Sequence, residues 1–115
     1  MERVGYSIMN ELIIRPEAPG EQLTVIRLSG VFEGMAAVEG EIKLSEILKD
    51  IQTKNVWIDL SEIVYIDSSA VGVLINLTKA AVAQKVQMSF FKPSENVKKI
   101  LNITHVDRMI PIIEG

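Results

Sequence analysis

An acidic residue and two hydroxyls stand together in the stretch IDSSAVG, residues 66–72, directly ahead of the most apolar segment of the chain. A helix that begins here leaves backbone N–H groups without partners, and Asp or Ser side chains at its first positions accept hydrogen bonds from them. The simplest prediction is therefore that Asp67 or Ser68 caps a helix. A serine hydroxyl can also act as a nucleophile, but only with further groups around it.

A serine hydrolase is the enzymatic interpretation of this stretch, and the sequence gives it little support. The Gly-x-Ser-x-Gly turn of hydrolases is missing, because Ile66 and Ala70 occupy the positions where Ser68 would need glycines. The only imidazole in the chain belongs to His105, which would have to fold against Ser68 together with Asp107. A sole histidine after a short helix is more often a surface or cap residue. The hydrolase remains a distant alternative.

The composition removes several other kinds of chemistry. The 115 residues contain one His and no Cys, so thiolate catalysis, disulfide frameworks and multi-histidine metal clusters are excluded. No glycine-rich loop of the phosphate-binding type is present. The sequence therefore predicts no metal ion and no cofactor.

Charge and hydropathy restrict the partners. The formal net charge is -3, whereas proteins that bind phosphate backbones carry clustered Lys and Arg, so no nucleic acid partner is expected. No basic segment leads into an apolar signal core at the N-terminus. The most apolar stretch, residues 70–83, is too short and too interrupted to span a bilayer. We expect a cytoplasmic protein without membrane insertion.

The periodicity of apolar residues predicts strands that alternate with helices. A helical pattern is formed by Leu44, Ile47, Leu48 and Ile51, whereas Val56, Ile58 and Leu60 alternate as in a strand with one buried face. Strands are predicted at 12–14, 23–28, 56–60, 86–91 and 109–113, with a β-prone run at 63–66; helices are predicted at 35–51, at 70–84 and after Ser94. This order indicates one α/β domain, residues 1–115, in which the first two strands form a hairpin and the later strands pair in parallel.

The helix predicted at 70–84 is apolar around most of its circumference. One stripe consists of Val71, Leu74, Ile75, Thr78 and Val82, and Val73, Leu77 and Ala80 widen it. Deep burial and a partner surface next to the serine pair both explain an arc this wide.

Two motifs in this arrangement are those of a known family. Asp59, Leu60 and Ser61 end the central predicted strand, and Asp67, Ser68 and Ser69 open the apolar helix. With these motifs, nearly the whole chain resembles the STAS domain of bacterial anti-sigma-factor antagonists. The resemblance implies a mixed sheet of four or five strands with helices mainly on one side. It also implies that Ser68 is a phosphoacceptor.

The resemblance further implies a regulatory binding protein rather than an enzyme. Its partner would be an anti-sigma factor with serine kinase activity, released on phosphorylation of Ser68, and a phosphatase would restore the unmodified form. We expect the partner surface to comprise Phe32, Glu33, Asp67, Ser69, Ala70, Val73 and Leu77. The alternative within the same fold is a scaffold subunit, in a stressosome-like assembly or a membrane lipid-transport complex, in which Ser68 would only cap its helix.

Overall fold

The computed structural model describes residues 12–114, and these form a five-stranded mixed sheet with three α-helices. The strands are β1 (Leu12–Glu17), β2 (Leu23–Gly30), β3 (Asn55–Glu62), β4 (Gln87–Phe91) and β5 (Ile112–Ile113). The helices are α1 (Gly34–Asp50), α2 (Ser68–Ala83) and α3 (Glu95–Ile103), followed by a 3-10 turn at Val106–Arg108. The predicted α/β class and element order are confirmed.

The strands lie in the order β1-β2-β3-β4-β5. β1 and β2 form the predicted antiparallel hairpin, with Leu12 opposite Gly30 and Glu17 opposite Val25, and every other neighbouring pair is parallel. Parallel neighbours need long crossover connections, and α1, α2 and α3 supply them. β1 continues through Pro16, a residue that an edge strand tolerates because its missing N–H can face away from the ladder.

The core lies between one face of the sheet and the helices. Ile26, Ile58 and Phe90 point to that face from three neighbouring strands, and each is almost completely buried. The helices contribute Leu44 and Leu74, among others, to the same hydrophobic cluster. Burying one such side chain stabilises the fold by about 1.5–3 kcal/mol. This packing holds the N-terminal ends of α1 and α2 beside the carboxyl ends of the central strands.

Two expectations of β-structure differ from the structure. The run 63–66 is not a strand: β3 ends at Glu62, and only Ile66 makes an isolated parallel bridge, to Phe32. The last strand is confined to Ile112–Ile113, because the backbone N–H groups of Met109 and Ile110 donate to the carbonyl of Val106 and close a turn instead. A local turn thus takes the hydrogen bonds that a longer strand would need.

The wide apolar arc of α2 is mostly core. Its buried face is centred on Ala70, Leu74, Leu77 and Ala81. Val82, which we expected on the core face, is exposed because it lies about 100° around the helix from Ala81. Deep burial is therefore the correct explanation for most of the arc.

Candidate functional site

Asp67 is the N-cap of α2. Its backbone is extended, and its Oδ1 accepts a hydrogen bond from the backbone N–H of Ala70 at 3.0 Å. The carbonyl of Asp67 also accepts the first helical hydrogen bond, from the N–H of Val71. The prediction that Asp67 or Ser68 caps this helix is confirmed for Asp67, and Ser68 becomes the first residue of α2.

The second oxygen of the same carboxylate holds the start of α1. Oδ2 of Asp67 accepts a hydrogen bond from the backbone N–H of Gly34 at 2.9 Å. Gly34 has a φ of 53°, and Glu33, the N-cap of α1, makes no capping hydrogen bond with its own side chain. One carboxylate therefore caps two helices. The bridge between Phe32 and Ile66 brings the two helix starts together.

Polar contacts also join α1 to α2 farther along. Asn76 Nδ2 of α2 donates to Glu41 Oε2 of α1 at 3.1 Å. Gln84 Nε2, at the C-cap of α2, donates to the backbone carbonyl of Leu48 near the end of α1 at 2.7 Å. Because their N-terminal ends meet at Asp67 and their C-terminal ends meet at Gln84, the two helices run parallel side by side. The N-terminal ends of α1 and α2 therefore lie next to each other at Asp67.

The two hydroxyls differ in accessibility. Ser68 is exposed at the first position of α2, whereas Ser69 is half-buried. Both follow Asp67, whose carboxylate is already engaged by Gly34 and Ala70. Ser68 is therefore the more accessible of the two hydroxyls at this helix start.

The expected partner surface has to be corrected. Phe32, Ala70, Val73 and Leu77 are 2% exposed or less and belong to the hydrophobic core. Phe32 is buried because its backbone pairs with Ile66 beneath the helix starts, and the α2 side chains face the sheet. In this structure these four side chains cannot form a contact surface. Glu33 is exposed, and Asp67 and Ser69 are half-buried, so these three expected residues remain accessible.

Other apolar side chains are exposed close in the chain to the starts of the two helices. Val64 and Tyr65 lie just before Asp67 in the chain, and Met35 follows Gly34, the residue bonded to Asp67. None of the three was predicted from the sequence. The run 63–66 was expected to be β-prone. Composition alone does not distinguish a loop that exposes its apolar residues from one that buries them, so the exposure of Val64 and Tyr65 was not predictable. For Met35, the only sequence feature that indicated exposure was its position outside the core stripe of α1.

The Asp-Leu-Ser motif has a structural role. Asp59 is buried, its Oδ1 accepts from the backbone N–H of Ser61 at 2.9 Å, and its Oδ2 accepts from Arg27 Nη1 at 2.9 Å. Arg27 Nε also donates to Glu17 Oε1 at 3.2 Å. The hydrogen bond and the charge of Glu17, assisted by Asp59, raise the pKa of Arg27 above its ordinary value. These contacts tie β1, β2 and β3 together.

The three residues of the hydrolase alternative form no catalytic arrangement among the described residues. His105 is exposed, with a left-handed φ of 64° at the start of the 3-10 turn. Asp107 Oδ2 accepts a hydrogen bond from Asn102 Nδ2 at 3.1 Å. Among the hydrogen bonds within residues 12–114, none joins Ser68, His105 and Asp107 into a triad. The described geometry gives the hydrolase no support.

Two further features concern residues 12–114 as a whole. No group of three or more His, Asp or Glu side chains in this range is placed to hold a metal ion. In the same part of the chain, no helix combines the length and the apolar character that crossing a membrane requires.

Comparison with known proteins identifies relatives across this whole fold. A family model described as STAS domain matches residues 14–115. A STAS-domain containing protein of Pseudomonas aeruginosa is 31% identical to this chain over 97 residues, which are 84% of this chain and 93% of that protein.

Solved structures share the architecture at lower identity. An anti-sigma-factor antagonist (STAS) domain protein from Planctomyces limnophilus superposes with a TM-score of 0.77, is 23% identical, and the match covers 89% of this chain and 90% of that one. The anti-sigma factor antagonist SpoIIAA in its unphosphorylated form gives a TM-score of 0.72 at 19% identity, with 87% of both chains covered. The phosphorylated form of Bacillus SpoIIAA gives 0.66 at 18% identity, with 87% of this chain and 90% of that chain covered.

Proposed function

The chain belongs to the STAS domain family, and on that basis we propose that it is an anti-sigma-factor antagonist controlled by phosphorylation of Ser68. Its partner in this proposal is an anti-sigma factor with serine kinase activity, and a phosphatase returns the protein to the unmodified form. Members of the same fold are described as anti-sigma factor antagonists, and one of them, SpoIIAA, is known in unphosphorylated and phosphorylated forms. These descriptions support the proposed class of function.

The observation that carries the proposal is the placement of Ser68. Its hydroxyl is exposed at the first position of α2, and the preceding residue, Asp67, fixes that helix start by two hydrogen bonds. In the proposed transfer, the Ser68 Oγ forms a bond to the γ-phosphorus of ATP, the bond to the bridging oxygen breaks, and ADP leaves. The hydroxyl proton passes to a base of the kinase. The protein itself is the substrate and supplies no catalytic group.

Electrostatics account for the switch. A phosphoserine carries about -1.5 to -2 charges, and the N-terminal ends of two helices can accommodate it without unfolding the domain. A carboxylate of the partner about 5 Å away would be repelled by roughly 3 kcal/mol per unit charge at an effective dielectric near 20. One unit of charge thus corresponds to about a hundredfold loss of affinity, and the full charge of the phosphoserine to a larger loss. Charge alone can therefore separate the two proteins.

The test measures phosphate uptake from ATP in the presence of the cognate kinase-type anti-sigma factor. The wild type should incorporate one phosphate and Ser68→Ala none, while Ser69→Ala, a matched change one residue along the helix, should keep most of the uptake. Equal incorporation by wild type and Ser68→Ala would overturn the assignment of this serine. The proposal places the protein in the cytoplasm, where such a kinase and its ATP are found.

A further inference from the structure

α1 is apolar on two opposite faces. Ala37, Gly40, Leu44 and Leu48 face the core. On the opposite face, Met35, Val38 and Ile42 are 69%, 47% and 66% exposed. We refer to these three side chains as the outer stripe of α1. A helix with one buried face normally carries polar residues on the other, so the outer stripe requires an explanation.

The spacing of the outer stripe is that of a helix-packing surface. Its members stand at intervals of three and four residues, so they lie one above another along the helix and form a contiguous patch. Ser45 and Lys49 continue the same line. A shallow groove of about 490 Å³ follows it, lined by Val38, Glu41, Ile42, Ser45, Glu46 and Lys49. A contiguous apolar patch bordered by polar residues is typical of an interaction site.

The charges along its borders indicate the kind of partner. Three glutamates and two lysines border the outer stripe. Glu39, Glu46 and Lys43 lie on one side of Ile42, Glu41 lies on the other, and Lys49 stands at the C-terminal end. An antiparallel pairing of two copies about a two-fold axis through Ile42 would place Glu39 opposite Glu46 of the second copy, twice. That like-charge arrangement disfavours a homodimer. A helix with basic residues beside its apolar face would instead meet opposite charges.

The outer stripe is also continuous with the proposed phosphorylation site. Met35 directly follows Gly34, whose N–H donates to Asp67, the residue before Ser68. A partner that contacts Ser68 can therefore extend along α1 without leaving the surface. Phosphorylation then changes the charge at one end of a longer apolar contact.

From these observations we propose that the outer stripe of α1 docks an amphipathic, basic-flanked helix of the anti-sigma factor, in a contact that extends the Ser68 site. The inference rests on the proposed function, because it assigns a second contact area to the same partner. The apolar residues would supply affinity, and the glutamates would speed association and make it sensitive to salt.

The test measures the affinity of the anti-sigma factor that phosphorylates this protein, by calorimetric titration against purified variants. Ile42→Glu should weaken binding about tenfold or more, as expected for an apolar anchor. Ile103→Glu is the matched control, since Ile103 is equally a helix residue and is 73% exposed, but on α3; it should bind like wild type. Glu39→Gln combined with Glu46→Gln should reduce the salt dependence of the association rate.

Several results would overturn the inference. If Ser68→Glu loses binding while Ile42→Glu binds like wild type, the docking surface is wrong and the proposed function stands. If the wild type is neither bound nor phosphorylated by a kinase-type anti-sigma factor, the docking surface and the proposed function are both wrong. A dimer in size-exclusion chromatography that Ile42→Glu converts to monomer would assign the outer stripe to a second copy. If Ile42→Glu mainly lowers the stability of the free protein and leaves its affinity unchanged, the outer stripe packs against the protein's own chain.

Discussion

The carboxylate of Asp67 accepts a hydrogen bond from the backbone N–H of Gly34, a residue 33 positions earlier in the chain, at 2.9 Å. The same carboxylate caps α2 through Ala70. The starts of α1 and α2 are thus held by one side chain, and Ser68 stands beside it. Any charge added to Ser68 therefore changes the electrostatic potential at both helix starts.

The first prediction concerns this double cap. Asp67→Ala removes both acceptor oxygens and should lower the free energy of unfolding by about 1–3 kcal/mol. Urea denaturation followed by circular dichroism measures the change. Asp107→Ala removes a carboxylate that accepts one exposed hydrogen bond, from Asn102, and should cost about 0.5 kcal/mol or less. Equal losses for the two variants would show that Asp67 does not hold two helices.

The second prediction compares two glycines that both have room for a methyl group. An added Cβ meets nothing within 4 Å at Gly34 or at Gly72, but Gly34 has a φ of 53° and Gly72 lies within α2. Gly34→Ala should therefore destabilise the protein by about 1–2 kcal/mol. Gly72→Ala should stabilise it by about 0.5–1 kcal/mol, because alanine loses less backbone entropy in a helix. Thermal unfolding distinguishes the two, and changes of the same sign would contradict the backbone geometry.

How far the sequence could predict this site depends on the range of the contacts. Asp67 as a cap was predictable, because N-cap chemistry depends on neighbouring residues. Its bond to Gly34 was not, since it requires the sheet to bring positions 34 and 67 together. Phe32 was expected at the partner surface from the family resemblance and is instead buried, because its pairing with Ile66 is a tertiary contact without a local pattern.

The elements themselves followed from periodicity. The core stripe of α1, with Leu44 and Leu48, was predicted from spacing alone and is confirmed. Its outer stripe was not predicted, because the spacing of Leu44 and Leu48 already accounted for one buried face of the helix. The sequence nevertheless carries the signal, since Met35, Val38 and Ile42 form a second apolar stripe about half a turn from the first.

The third prediction concerns the buried carboxylate of β3. Asp59 is paired with Arg27, so Arg27→Met leaves a buried charge with fewer partners and should lower the denaturation midpoint clearly. Glu17→Gln alters the exposed partner of the same guanidinium and should have little effect. The double variant Arg27→Met/Asp59→Asn should recover part of the lost stability, because it removes the buried carboxylate charge that Arg27→Met leaves without its partner. Equal effects of Arg27→Met and Glu17→Gln would contradict this assignment.

The fourth prediction concerns alkaline pH. Hydrogen bonds from Lys98 to Glu114 and Glu95 raise the pKa of Lys98 above 10.5. The folded state therefore binds this proton more tightly than the unfolded state, and the resulting stability is complete below about pH 10.5 and lost as the pH rises through the folded pKa. The stability difference between wild type and Lys98→Met should be constant near neutral pH and shrink at strongly alkaline pH. A difference that does not vary with pH would show that these ion pairs contribute nothing.

The most direct test of the proposed switch compares one protein in two covalent states. Wild-type protein is phosphorylated to completion on Ser68, its modification is verified by mass spectrometry, and its dissociation constant for the kinase-type anti-sigma factor is measured beside that of the unmodified protein. Charge repulsion at the start of α2 predicts binding at least about a hundredfold weaker for the phosphorylated form. Equal dissociation constants for the two forms would contradict the account.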